Sequence, residues 1–354
     1  MKITNIKIET LKLDLYKPFV VALGTIEHVE TMLVQIETDE GIIGIGEGAP
    51  FEFVTGETLE SSIKLAKLFR NMLIGENPLH IEKIHKMMDK TIVGNTATKA
   101  AFDIALHDIM GKKLNAPLYQ VLGGYSNSFT TDVTIGIDAP EIMAKDAKER
   151  VDSGFTILKV KAGLNADQDI EAMRLIREAV GERIRIRMDA NQGWTIPESI
   201  RVMKAIEPLH IEAVEQPLPY WNIEGHAYIR NKVMTPIMAD ESLHSPQDAM
   251  KIIKQDAADI LNIKLMKSAG LYKAAQINHI AEAAGLTCMV GCMLESKIGI
   301  TAGASLVAAK KNIADADLDS FLYIKDTGIQ GGISIQNGVI TLSEKPGLGI
   351  ELVL

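Results

Sequence analysis

Residues 157–165 read ILKVKAGLN, an apolar run holding two lysines two positions apart. In an extended strand alternate side chains share a face, so Lys159 and Lys161 present both ammonium groups on one side. Two like charges inside a buried segment are costly unless acids or a function compensate them. The compensation lies in the neighbouring segments, and those segments set the fold.

The run belongs to a series of short apolar stretches. TTDVTIGI (130–137), FTILKVKAG (155–163), RIRIRMDAN (183–191) and IEAVEQP (211–217) are followed by TPIMADES (235–242), ADILNIKLM (258–266) and LTCMVGCM (286–293). Amphipathic segments such as DIEAMRLIREAV (169–180) and SIRVMKAIEPL (199–209) lie between them. Repeated strand–helix alternation implies parallel strands with helices outside, and seven or eight units over about 200 residues suit a barrel better than an open sheet.

The flanks read differently. Residues 1–50 alternate as a β-meander with a turn at Asp39-Glu40-Gly41, and helical periodicity takes over from about 57 until Gly123-Gly124 stops it. Glycines 41, 44, 46 and 48 lack the following Lys-Ser/Thr and the helix of a phosphate loop. The tail, GGISIQNGVITLSEKPGLGIELVL, returns to β alternation. The expected architecture is α/β: a modified (β/α)7β TIM-type barrel over 126–328, an α+β capping domain over 1–125, and a tail over 329–354 returning to the capping domain.

A net charge of −9 argues against nucleic acid or an anionic membrane as partner. No apolar run reaches bilayer length and the N-terminus lacks a signal-peptide pattern, so the cytoplasm is the expected address. A homo-oligomer is expected, with the subunit count open. Cys288 and Cys292 are spaced C-x3-C, neither a redox pair nor a zinc set, and read as core or pocket wall. The eight histidines read as core or surface residues, and the methionines mostly as core.

The active site of a parallel barrel lies at the C-terminal ends of its strands. Read there, consecutive strands deliver Lys161, Asp189, Glu215, Asp240 and Lys264 at intervals of about 25 residues, about one strand–helix unit. One acid at a strand end is by itself a solvated terminus or a helix N-cap; a run of them in consecutive units is not explained that way. Three converging carboxylates repel each other unless a cation sits between them, and all-oxygen ligation suits a hard ion such as Mg2+. The two lysine-bearing strands flank the acidic ones, so their ammonium groups reach the metal from opposite sides. Nearby positive charge is expected to lower a lysine's pKa toward that of a useful base. The chemistry this suits is proton abstraction from a carbon next to a carboxylate, with removal on one face and return on the other.

KVKAG, MDANQGW, VEQP, ADES and NIKLMKSAG, in this order and spacing, resemble the muconate lactonizing enzyme subgroup of the enolase superfamily. The similarity spans nearly the whole chain, including ALHDIMGKKLNAPLYQVLGG and the closing KPGLGI. The resemblance implies one Mg2+ per subunit on Asp189, Glu215 and Asp240, and Lys161 and Lys264 as acid/base catalysts. It gives Lys159 a supporting role at the substrate carboxylate, and makes Asn191 and Glu241 nearby contacts.

The subgroup includes dipeptide epimerases, N-acyl amino acid racemases, o-succinylbenzoate synthases and muconate cycloisomerases. Asp317 and Asp319 in DADLDSFLY resemble the motif by which dipeptide epimerases grip the substrate's α-ammonium. Two acceptors on one strand face suit an ammonium and repel a dicarboxylate; taken alone, they also read as caps of the following segment. Cys292 and Glu295 in GCMLES, and Thr134 on the first strand, are further contact candidates. In the Ala-Glu epimerases of this family an arginine in the first capping loop receives the glutamate side chain; the matching position here is Gly24. With Phe51 and Phe53 nearby, hydrophobic dipeptides are expected, while Glu52 leaves cationic ones open. Two rivals from other classes are a Schiff-base lysine aldolase, which needs no convergent carboxylates, and a metal-binding barrel without catalysis.

Overall fold

Alternation in the first fifty residues produces an antiparallel sheet of β1 (Ile3–Val21), β2 (Gly24–Thr38) and β3 (Ile43–Gly48). The computed structural model describes residues 1–21, 24–325 and 327–353, with the side chains of 18–27 outside that description. Helices α1 (Leu59–Leu73), α2 (Ile81–Thr91), α3 (Thr96–Lys113) and α4 (Leu118–Leu122) follow. The glycines of β3 acquire their reason here. A β-carbon on Gly44, Gly46 or Gly48 would stand 2.2, 2.0 or 2.6 Å from the carbonyl oxygens of Ala105, Ala101 and Ala97 respectively. Every second residue of the strand thus meets every fourth of α3, at a distance only glycine allows.

After β4 (Ser128–Thr130), eight parallel strands form the barrel in sequence order: β5 (Val133–Ile135), β6 (Ile157–Lys161), β7 (Arg185–Asp189), β8 (Ala213–Glu215), β9 (Ile237–Ala239), β10 (Ile260–Lys264), β11 (Thr287–Gly291) and β12 (Ile313–Asp317). The intervening helices are α5 (Pro140–Asp152), α6 (Ala166–Val180), α7 (Ile196–Ile206), α8 (Ile223–Arg230), α9 (Pro246–Lys254), the single turn α10 (Leu265–Ser268), α11 (Leu271–Ala283) and α12 (Lys297–Ala309). This is the expected (β/α)7β order. Caps set the helix starts: Asn165, Thr195, Ser245 and Ser296 each accept a backbone N–H from the first turn that follows.

The seam between β12 and β5 is closed largely by side chains. Asp132 N–H donates to the Ala316 carbonyl at 3.2 Å. Beyond it, Thr131 Oγ1 accepts from Leu318 N–H at 3.0 Å, and Thr134 N–H donates to Asp319 Oδ2 at 2.7 Å. Inside the barrel, Arg187 is buried against Asp132 at 3.1 Å and Glu212 at 2.8 Å, pairing a charge that would otherwise be prohibitive there.

Two buried carboxylates tie the N-terminal sheet and α3 to the rest. Glu47 of β3 accepts from the Thr31 hydroxyl at 2.7 Å and also meets the start of α12, through Ser296 Oγ at 2.7 Å and Gly299 N–H at 2.9 Å. Asp108 of α3 accepts from Ile45 N–H at 2.9 Å and, from the tail, Leu348 N–H at 2.8 Å. The tail strands are β13 (Ile329–Gly331), β14 (Ile333–Gln336), β15 (Val339–Leu342) and β16 (Ile350–Leu352); β14 and β15 extend β4, while β13 pairs with β16. Among the described residues, no helix is long and apolar enough to cross a membrane.

Candidate active site

Strand alternation puts Lys159 and Lys161 on the inner face of β6, and the neighbouring acids answer them. Lys161 Nζ donates to Asp189 Oδ2 at 2.7 Å and to Asn191 Oδ1 at 3.0 Å. Lys159 Nζ lies 3.0 Å from Asp189 Oδ2, 2.8 Å from Glu215 Oε2 and 2.7 Å from Asp317 Oδ2. Across the barrel, Lys264 Nζ donates to Asp240 Oδ2 at 2.8 Å. Three strands separate β6 from β10 in a ring of eight, so Lys161 and Lys264 stand on opposite sides.

Asp189, Glu215 and Asp240 are fully buried, with one carboxylate oxygen of each within 4.8 Å of the others. The local backbone holds them there. Asn191 (φ 40°) and Gln216 (φ 38°) turn the chain in the left-handed region just past two of these strand ends. Asn191 N–H donates to Asp189 Oδ1 at 2.9 Å, and Gln216 Oε1 accepts from Asp240 N–H at 2.9 Å. Glu215 Oε1 accepts from Asn262 at 2.7 Å, while its buried Oε2 makes no hydrogen bond; Lys159 lies near it at an angle that does not complete one. A buried carboxylate oxygen left without a hydrogen bond, beside two further carboxylates, is a donor set that suits a hard divalent cation.

The electrostatics agree. Burial and the charge of Asp189 push Glu215 up to about 7. Burial opposes ionisation of Asp189 too, but the ammonium groups of Lys159 and Lys161 hold it down at about 2. The expectation of a lowered lysine pKa is reversed at Lys264. Burial lowers it, yet Asp240 beside it outweighs burial and lifts its ammonium above the ordinary lysine range. A cation sharing Asp240 would weaken that hold.

A cavity of about 340 Å³ opens above this ring. Thr134, Asn191, Glu241, Cys292, Asp317 and Asp319 line it, as does Phe51. Asn191 Nδ2 reaches Glu241 Oε1 at 3.1 Å. Cys292 Sγ and one oxygen each of Asp317 and Asp319 lie within 4.8 Å of one another. Burial, then Asp317, raises the Cys292 thiol well above its ordinary value, so it stays protonated. Two sequence-derived candidates fall elsewhere. Glu295 turns back to accept Met293 N–H at 2.8 Å and does not line the cavity. Phe53, exposed, borders an adjoining cavity with Tyr220 and Trp221. Gly24 opens β2, and its side-chain surroundings lie outside the described residues.

The structure adds residues that sequence spacing does not reveal. Lys267, buried one turn past Lys264, contacts both Oδ1 and the carbonyl of Asp240. It stands in the quoted NIKLMKSAG, but α10 is too short to show a period. Tyr323 reaches the cavity from beyond β12, and His28 borders the cavity where a core or surface histidine is expected.

Residues 3–123 match the N-terminal domain of the mandelate racemase / muconate lactonizing enzyme family, and residues 142–353 match the enolase C-terminal domain-like family. The chain belongs to the mandelate racemase / muconate lactonizing enzyme family. Within it, the chain is 47% identical to the hydrophobic dipeptide epimerase of Enterococcus faecalis, covering 99% of this chain and 100% of that one. A crystal structure of the Enterococcus faecalis dipeptide epimerase, complexed with Mg and L-Leu-L-Tyr, superimposes with a TM-score of 0.97 at 47% identity, covering 99% and 100% of the two chains. The N-succinyl-L-Arg/Lys racemase of Bacillus cereus is 43% identical (99% of this chain, 96% of that one), and the L-Ala-D/L-Glu epimerase of Clostridium acetobutylicum 42% (99% of each). These family members are isomerases with differing substrates, so the substrate must be read from the cavity.

Proposed function

We propose that this family member is a Mg2+-dependent dipeptide epimerase that inverts the α-carbon of the C-terminal residue and favours apolar side chains. The observation that carries the reading is one cavity joining two opposed lysines to a second pair of buried carboxylates, Asp317 and Asp319, which Lys159 links to the acidic trio. Lys159 reaches Oδ2 of Asp317, and the Thr134 N–H and Tyr323 hydroxyl reach Oδ2 of Asp319; the further acceptor capacity of the two carboxylates suits a substrate ammonium. An N-acylated amino acid lacks that ammonium, and would leave both acceptors unanswered.

Asp189, Glu215 and Asp240 would hold Mg2+, which when bound supplies positive charge to the substrate carboxylate as the neighbouring C–H bond ionises. Lys161 and Lys264 then act on opposite faces: one takes the α-proton as general base and the other returns one as general acid. Lys159, close to Asp189, Glu215 and Asp317, adds charge beside the substrate carboxylate. The cavity lining includes Val29, Phe51, Val54, Leu59, Met293 and Leu294, which suit an apolar side chain. Glu30 and Glu52 also line the cavity and disfavour an acidic side chain. Among the described residues there is no arginine in that lining to receive one. The test is α-deuteration of an L,L-dipeptide library in D2O with Mg2+, read by mass increase. Apolar dipeptides should exchange first; exchange of N-succinyl or N-acetyl amino acids in preference to every dipeptide would overturn the reading.

A further inference from the structure

Asp319 has two tasks that compete for one carboxylate. It lies two residues past β12, at the open seam of the barrel, and it borders the cavity. Its Oδ2 accepts from Thr134 N–H at 2.7 Å, across the seam, and from the Tyr323 hydroxyl at 2.7 Å. The Thr134 N–H is shared with that hydroxyl at 3.0 Å, so tyrosine, aspartate and first-strand backbone form one knot. Asp319, Thr134 and Tyr323 are all buried, and each borders the cavity.

The geometry points to Tyr323 as a positioning residue of the ammonium site, acting through Asp319. A carboxylate held by one oxygen can still swing about its side-chain torsions. Two donors on Oδ2, one from the backbone and one from a phenol, fix its plane and turn Oδ1 toward the ligand. The hydroxyl also favours the charged form of an acid that burial and Asp317 together push toward neutrality. Tyr323 is itself held. A single turn (Ser320–Leu322) brings its hydroxyl back to Asp319, and Tyr16 N–H of β1 donates to its carbonyl at 2.9 Å. An isolated bridge between Leu15 and Ile324, with Lys325 N–H donating to Asp14 O at 2.8 Å, extends that grip. The first strand of the N-terminal sheet thereby sets the orientation of a carboxylate at the far end of the chain.

This inference rests on the dipeptide reading, and the experiment separates the two. Steady-state epimerisation of L-Leu-L-Leu is measured with saturating Mg2+ for the parent, Tyr323→Phe, Asp319→Asn and the double variant, with melting curves for each. Tyr323→Phe should raise KM roughly tenfold, the scale of one charge-assisted hydrogen bond lost from a binding group. Its kcat should stay within about twofold, because the base and metal positions are untouched. In the Asp319→Asn background the same change should add nothing. As a competitive inhibitor, the N-acetylated dipeptide should bind parent and Tyr323→Phe equally. An unchanged KM, a fall in kcat alone, or additive losses in the double variant would overturn the role of Tyr323. Should Tyr323→Phe fail to fold, Tyr323→His, which restores a donor on a ring, must recover KM or the inference falls. A parent protein that exchanges no dipeptide would overturn the functional reading instead.

Discussion

Replacing Lys264 by alanine separates the two faces of the reaction. The variant removes the ammonium that sits 2.8 Å from Asp240 Oδ2. Asp240 keeps its second counter-charge, because Lys267 contacts Oδ1 from the other side, so Asp240 should stay ionised and the trio still bind Mg2+. Lys161 keeps both its partners, Asp189 and Asn191, since neither touches Lys264. The loss should therefore be confined to the proton handled on the β10 side. A positioned acid or base contributes about 10²–10⁴-fold, and α-proton exchange from one isomer should fall by that factor while the other isomer retains exchange within about tenfold. Net epimerisation should be lost with it. The assay is proton NMR of the α-position in D2O, started separately from the L,L and L,D forms of one apolar dipeptide. Mg2+ affinity is measured in parallel by calorimetry, and Lys161→Ala should show the mirror pattern. Equal collapse of both isomers with Mg2+ still bound would refute the two-base assignment, as would parental exchange from both.

EDTA should abolish turnover and added Mg2+ restore it; full activity in the chelator would contradict the role given to the acidic trio. Gly46→Ala puts a β-carbon 2.0 Å from the Ala101 carbonyl, so β3 and α3 must part, at a cost of about 3 kcal/mol in urea unfolding. Gly303→Ala meets side-chain methyls alone, the nearest being Leu318 Cδ2 at 3.2 Å, and should cost less than about 1 kcal/mol, a contrast that equal midpoints would deny. Buried His107 is disfavoured as a cation by burial, yet Asp103 raises it above its ordinary 6.5. A raised folded pKa gives stability that is complete below about 6.5 and lost as pH rises through the folded value. Urea midpoints from about pH 6 to 9 should thus fall further for the parent than for His107→Gln, and parallel curves would count against the pair.

The barrel was legible because strand–helix units repeat at nearly constant length, and because a parallel barrel gathers its strand ends on one rim. Asp189, Glu215 and Asp240 could be aligned by counting alone, and the structure brings them together. What the spacing lacked was the path of the loops beyond the strands. Glu295 lies in the same turn as Cys292, but a bond to the N–H of Met293 folds it away from the cavity. Phe51 and Phe53 are two apart, and the turn they share sends them to different cavities. Lys267 and Tyr323 each follow a strand by one irregular turn, where neither a period of two nor of 3.6 applies. The glycines of β3 were visible as a pattern, but their purpose needed the alanines of α3, some fifty residues on, to be placed beside them.

Glu47 lends the molecule an unusual constraint on its own divergence. Its carboxylate belongs to one half of the chain and, besides Thr31, is satisfied by a hydroxyl and amides of Ser296 and Gly299 in the other. A chimaera joining this N-terminal half to a relative's barrel must import both sides of that joint together. Grafted alone, either half would carry an orphaned buried group costing about 1–3 kcal/mol, and the pair should be inherited as a unit.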